Sequence, residues 1–185
     1  MIQGDSVEYD LLAKWANFDC NGDYSCEIGV RDGMGSKIIM DNIKNNYMHV
    51  GVDPYANLNY QHYDHTDSYQ CDYTDEMRDT MLYDLKQYRN AGKFHLANMT
   101  DTLFMSHPDY NEKKYAFVHF DGPHMTKDVI TEAVWFANRA SNNTRFVFDD
   151  YQHYDMQLIA DILKPFNFEP IERGQNKVLL QKVTT

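Results

Sequence analysis

Cys26-Glu27-Ile28-Gly29-Val30-Arg31-Asp32-Gly33-Met34-Gly35-Ser36 is answered further along by His49-Val50-Gly51-Val52-Asp53. A short apolar run enters a glycine-rich turn, a helix follows, and a second short strand ends on a carboxylate. This βαβ order suits a nucleoside. The glycines let the backbone bend and approach a ligand, and a carboxylate after the second strand accepts hydrogen bonds from ribose hydroxyls. The spacing G-x-x-x-G-x-G differs from the G-x-G-x-x-G of dinucleotide folds and from the phosphate loop G-x-x-x-x-G-K-[ST]. With Glu27 two residues ahead of Gly29, it points to a nucleoside that carries no pyrophosphate.

The same alternation extends outward. Residues 7–18 carry Val7, Leu11, Leu12, Trp15 and Ala16 at helical spacing. The helix after Gly35 places Ile38, Ile39 and Ile43 on one face, and Pro54 ends the second strand. Residues 55–73 are polar and aromatic and read as a long loop or lid. Thr74-Asp75-Glu76 starts a helix that runs to about Asn90, capped by Gly92. Strands are expected at 94–97, 115–120 and 145–148, with helices at about 126–140 and 156–163. Two closing strands, about 168–172 and 177–183, flank the turn Gly174-Gln175-Asn176. Such alternation predicts an α/β fold: a three-layer, Rossmann-like arrangement with a seven-stranded, mostly parallel sheet and an antiparallel C-terminal hairpin. Residues 1–185 are read as one domain with an insert at about 55–73.

Composition narrows the function classes. Of the 185 residues, 43% are hydrophobic, so the chain has material for a packed core. A net charge of -11 and the absence of a Lys/Arg cluster disfavour a nucleic-acid partner. An uncharged or cationic small molecule fits better. No apolar run approaches the about 18 residues that span a bilayer, and residues 1–6 lack the basic and apolar regions of a signal peptide. A cytoplasmic protein without a membrane partner is therefore expected. Cys20, Cys26 and Cys71 have no metal-type spacing and read as reduced thiols.

With Glu27, the three glycines and Asp53, the chain resembles the class I S-adenosylmethionine-dependent methyltransferases from about Leu11 to Val183. Phe117-Val118-His119-Phe120-Asp121-Gly122-Pro123-His124 and Phe146-Val147-Phe148-Asp149-Asp150-Tyr151 resemble their metal-dependent O-methyltransferases. The branch most similar is that of the macrocin-type sugar O-methyltransferases and cephalosporin-hydroxylase-like proteins. The resemblance implies S-adenosylmethionine held by Glu27, Gly29, Asp32, Gly33, Ser36, Asp53, Met99, Thr100, Asp101 and Asp121. It implies one divalent cation, Mg²⁺ above all, on Asp121, Asp149 and Asp150. Three carboxylates meeting at strand ends would repel one another without a cation, and Mg²⁺ takes oxygen ligands while leaving room for two substrate hydroxyls. His124, three residues after Asp121, is the candidate base, with Asp121 beside it in the catalytic pair.

Structural readings stand beside these. Asp149-Asp150 can cap the following helix. His124 can be a cap or a surface residue, and His119 a core residue. The His62/His65 pair with Asp64 and Asp67 reads as a solvated loop rather than as a second metal site. The expected activity is O-methylation of a sugar or other vicinal diol, with a homo-oligomer left open. The alternatives are a protein that keeps the fold without catalysis, which fold alone never excludes, and a nucleotide-dependent oxidoreductase, against which the glycine spacing counts.

Overall fold

The computed structural model describes residue 4 and residues 6–55, 58–64, 68–70 and 73–184. Helix α1 (Tyr9–Ala16) precedes strand β1 (Tyr24–Ile28). Helix α2 (Met34–Asn42) leads to β2 (His49–Val52). A short antiparallel ribbon, β3 (Asn59–Gln61) with β4 (Ser68–Gln70), comes next, followed by α3 (Asp75–Asp84) and α4 (Lys86–Asn90). Then follow β5 (Phe94–Ala97), α5 (Asp101–Ser106), α6 (Pro108–Asn111), β6 (Tyr115–Phe120) and α7 (Thr126–Ala137). The chain closes with β7 (Ala140–Phe148), α8 (Met156–Leu163), β8 (Phe168–Arg173) and β9 (Val178–Lys182).

One sheet of seven strands has the order β5-β2-β1-β6-β7-β9-β8. Its first five strands are parallel, and β9 and β8 run antiparallel. This is the predicted α/β architecture. Strand β6 is buried along its whole length, as a central parallel strand covered on both faces must be. One face packs Phe120, Phe146 and Phe148 against Phe136 of α7 and Ile159 of α8. Rings of Phe120 and Phe148 stack with centroids 4.5 Å apart. The other face packs Phe117 and Val147 against Leu12, Trp15 and Ile39 of α1 and α2.

Three local expectations are corrected. The strand expected at 145–148 begins earlier, since β7 takes in the polar stretch Ala140–Thr144, with Asn143 at φ 64° where the pairing with β6 shifts register. Residues 59–61 and 68–70 pair as a ribbon within the expected loop. The helical stretch to Asn90, expected to move with the 55–73 loop as one lid, is instead part of the core: Met81 and Leu85 are buried with Val30, Tyr55 and Phe94. His65, Asp67 and Cys71 lie outside the described residues. No described helix is long and apolar enough to cross a membrane.

Candidate active site

Connections leave β1 and β6 toward opposite edges of the sheet, so a crevice opens where their carboxyl ends diverge. A cleft of about 1000 Å³ lies there, bounded by the β1, β2, β6 and β7 ends and by the ribbon segment. Gly29 sits at its floor with φ 84°, and a Cβ there would overlap the carbonyl oxygen of Asp121. No other residue fits so close to the β6 end. The N–H of Asp121 donates to the carbonyl of Ile28 at 2.9 Å, which locks the two strand ends together.

Asp53 organises the glycine turn. Its Oδ2 accepts the N–H groups of Val30 and Arg31, each at 3.0 Å, and its Oδ1 accepts that of Tyr55 at 3.0 Å. Burial pushes the Asp53 carboxyl up, and these three backbone bonds oppose that shift. A carboxylate has about four acceptor positions, so one remains for a ligand hydroxyl.

Glu27 is buried behind the turn. Oε1 pairs with His119 Nδ1 at 2.8 Å, and Oε2 accepts from Ser36 Oγ at 2.5 Å. Ser36 is also bonded to His49 Nε2 at 3.0 Å, and His49 Nδ1 to Ser25 Oγ at 2.8 Å. A polar chain therefore runs through the core from β2 to β6. Gly35 is required because a Cβ would overlap Glu27 Oε1. Burial pushes the His49 imidazole down to about 3.

His124 lines the cleft at 4% exposure, and neither ring nitrogen has a hydrogen-bond partner among the described residues. Its Nε2 lies 3.9 Å from Asp121 Oδ1. The ring stacks on Tyr63 and Tyr154, with His62 edge-on at 4.9 Å between centroids. Burial, with His62 and His153 adding to it, pushes His124 down to about 3, although Asp149 opposes. The imidazole is neutral at physiological pH and keeps a lone pair. The ribbon segment is fastened above it: His124 N–H donates to the carbonyl of His62 at 2.8 Å, and Thr126 N–H donates to Asp64 Oδ1 at 3.2 Å.

Of the residues expected from sequence, Glu27, Gly29, Asp53, Thr100, Asp101, Asp121, His124, Asp149 and Asp150 line the cleft. Asp32, Gly33, Ser36 and Met99 do not. Gly33, with φ 83°, begins α2 and faces Met81. Ser36 is spent on Glu27 and His49, and Met99 packs against the core.

The expected metal set does not converge. Asp149 Oδ2 is paired with the buried ammonium of Lys177 and accepts from Ser6 Oγ at 2.8 Å, while Oδ1 accepts the Asp150 N–H at 2.9 Å. Burial raises the Asp149 carboxyl, but His119, Lys177 and Ser6 outweigh it and hold it below the usual range. Among the described residues, the His/Cys/Asp/Glu trio with ligand atoms within 4.8 Å of one another is Glu27, His119 and Asp121, and two of these are bonded together. The carboxylates of Asp121, Asp149 and Asp150 do not fit a shared Mg²⁺. Lys177, buried against Asp149 at the site, is a residue that the sequence does not mark. It follows a hairpin turn, where a lysine ordinarily faces water.

Sheet order, glycine turn and cleft define a class I methyltransferase fold. The chain belongs to the methyltransferase domain family, whose profile matches residues 26–151. It is similar in fold to an O-methyltransferase of Bacillus cereus crystallised with S-adenosylhomocysteine, with TM-score 0.60, 8% identity and coverage of 99% of this chain and 84% of that one. It is similar to the N-methyltransferase NodS of Bradyrhizobium japonicum, with TM-score 0.59, 10% identity and coverage of 95% and 94%. A Corynebacterium glutamicum protein gives TM-score 0.62, 14% identity and coverage of 99% and 83%. No curated protein matches the chain significantly. The family and the cleft make this an S-adenosylmethionine-dependent methyltransferase.

Proposed function

We propose that the protein transfers the methyl group of S-adenosylmethionine to a hydroxyl of a small uncharged or cationic acceptor, with a sugar as the class that best suits the cleft. His124 carries this reading: a buried, neutral imidazole with unpartnered nitrogens, on the cleft wall beside Asp121. S-adenosylmethionine supplies an electrophilic methyl on a sulfonium cation. The carboxylates of Glu27, Asp53, Asp101, Asp121 and Asp150 around the cleft favour a cationic ligand. In this reading Asp53 offers its remaining acceptor position to the ribose, and Thr100 and Asp101 on the cleft wall take the adenine.

A hydroxyl that has attacked a methyl group becomes an oxonium, a very strong acid. An imidazole with a lowered pKa is basic enough to take that proton, and Asp121 stabilises the imidazolium as it forms. Tyr9, Tyr55, Tyr63 and Tyr73 on the cleft wall provide faces on which a sugar can stack. A vicinal diol is not required, because no metal chelates the acceptor in this reading. The test is transfer of label from methyl-labelled S-adenosylmethionine to a panel of sugars, polyols and amines. Label on a hydroxyl oxygen supports the proposal; label only on nitrogen or carbon sinks it.

A further inference from the structure

We infer that the Lys177 ammonium takes the place of the divalent cation at the strand ends, so that this methyltransferase works without a metal. The inference depends neither on the acceptor nor on the role of His124.

Carboxylates gathered at the ends of β6 and β7 need a positive charge among them. Lys177 supplies it from the start of β9, and its side chain is completely buried against that of Asp149. Ser6 Oγ closes a triangle, donating to Asp149 Oδ2 at 2.8 Å and accepting from Lys177 Nζ at 2.9 Å. With Asp150 N–H on Oδ1, three of the about four acceptor positions of Asp149 are filled. A metal ligand needs an oxygen facing the ion, and Asp149 has turned one oxygen to the ammonium and the other to its own chain.

The pair is also sealed. Glu8 accepts from three consecutive N–H groups, Gln175 at 2.6 Å, Asn176 at 2.9 Å and Lys177 at 3.0 Å. This holds the segment around Ser6 against the β8–β9 turn. An entering divalent ion would have to expel a fully desolvated ammonium and break the Ser6 bridge. Removing the lysine side chain alone would leave a buried carboxylate without its counter-charge. The freed volume then adjoins Asp149 and Ser6, both of which line the cleft.

Mn²⁺ titration followed by electron paramagnetic resonance tests this on metal-stripped full-length protein. The wild type is expected to leave the free Mn²⁺ signal at its buffer value. Lys177→Ala is expected to bind one Mn²⁺ per chain and to melt at a higher temperature when Mn²⁺ is added. One Mn²⁺ per wild-type chain with Kd below about 0.1 mM would overturn the inference. So would a folded Lys177→Ala protein whose melting temperature ignores Mn²⁺. If Lys177→Ala does not fold, the wild-type titration decides alone.

Discussion

Replacing His124 with alanine is expected to lower turnover by about 10²–10⁴-fold, the usual range for losing a general base, while binding of S-adenosylhomocysteine stays close to wild type. In the proposed reaction the imidazole takes its proton only as the new C–O bond forms, so its loss should appear in kcat more than in cofactor affinity. The deficit should shrink at high pH, where hydroxide and ionised acceptor substitute for the base. The wild-type acid limb carries a second signature. An ordinary histidine base titrates near 6.5, whereas burial pushes His124 down to about 3. The wild-type rate should therefore persist well below pH 6.5. A pH–rate profile for wild type and His124→Ala checks both points. If turnover survives the substitution, or if the acid limb is centred near 6.5, His124 is not the base proposed here.

Acid is expected to destabilise the fold through two buried imidazoles. In the unfolded chain, His49 and His124 titrate near 6.5; in the folded chain both are pushed down to about 3 by burial. Folded values lie below unfolded ones, so the contribution is complete above pH 6.5 and is lost as the pH falls from 6.5 toward 3. At pH 5 each residue costs about 2 kcal/mol relative to neutral pH. Glu132 acts with the opposite sign: burial and Asp101 raise its carboxyl well above the ordinary range, so lower pH favours its protonated, folded form. Comparing each variant with wild type at both pH values cancels that effect. Urea unfolding at pH 7.5 and 5.0 should show His49→Asn and His124→Asn each losing about 2 kcal/mol less than wild type. Equal losses would mean that these imidazoles are protonated inside the fold.

The first half of the site was legible because its chemistry is local. Gly29 and Gly33 adopt positive φ, a property that glycine spacing announces, and Asp53 follows its strand directly. The seven strands were legible from apolar runs and alternation, above all the continuous burial of β6. Helices α5 and α6 were not, since six and four residues give too little periodicity to read. The start of β7 escaped because Ser141, Asn142 and Asn143 are polar where its pairing with β6 shifts register. The Lys177–Asp149–Ser6 triangle escaped for a different reason. Ser6 and Lys177 are 171 residues apart, and no local pattern marks a lysine that will be buried by tertiary packing. The same limit explains Ser36. Its place in the glycine motif suggests a ligand, but its hydroxyl is consumed by Glu27 and His49.

The proposed activity requires a nucleoside cleft built over Gly29. Isothermal titration of the wild type and Gly29→Ala with S-adenosylhomocysteine, and of the wild type with NAD, tests it most directly. The wild type should bind one S-adenosylhomocysteine per chain and ignore NAD. Gly29→Ala should lose that binding, because a Cβ at φ 84° would overlap the Asp121 carbonyl and push the β1 and β6 ends apart. A wild type that binds NAD as well as S-adenosylhomocysteine, or a Gly29→Ala protein that binds S-adenosylhomocysteine as wild type does, would contradict it.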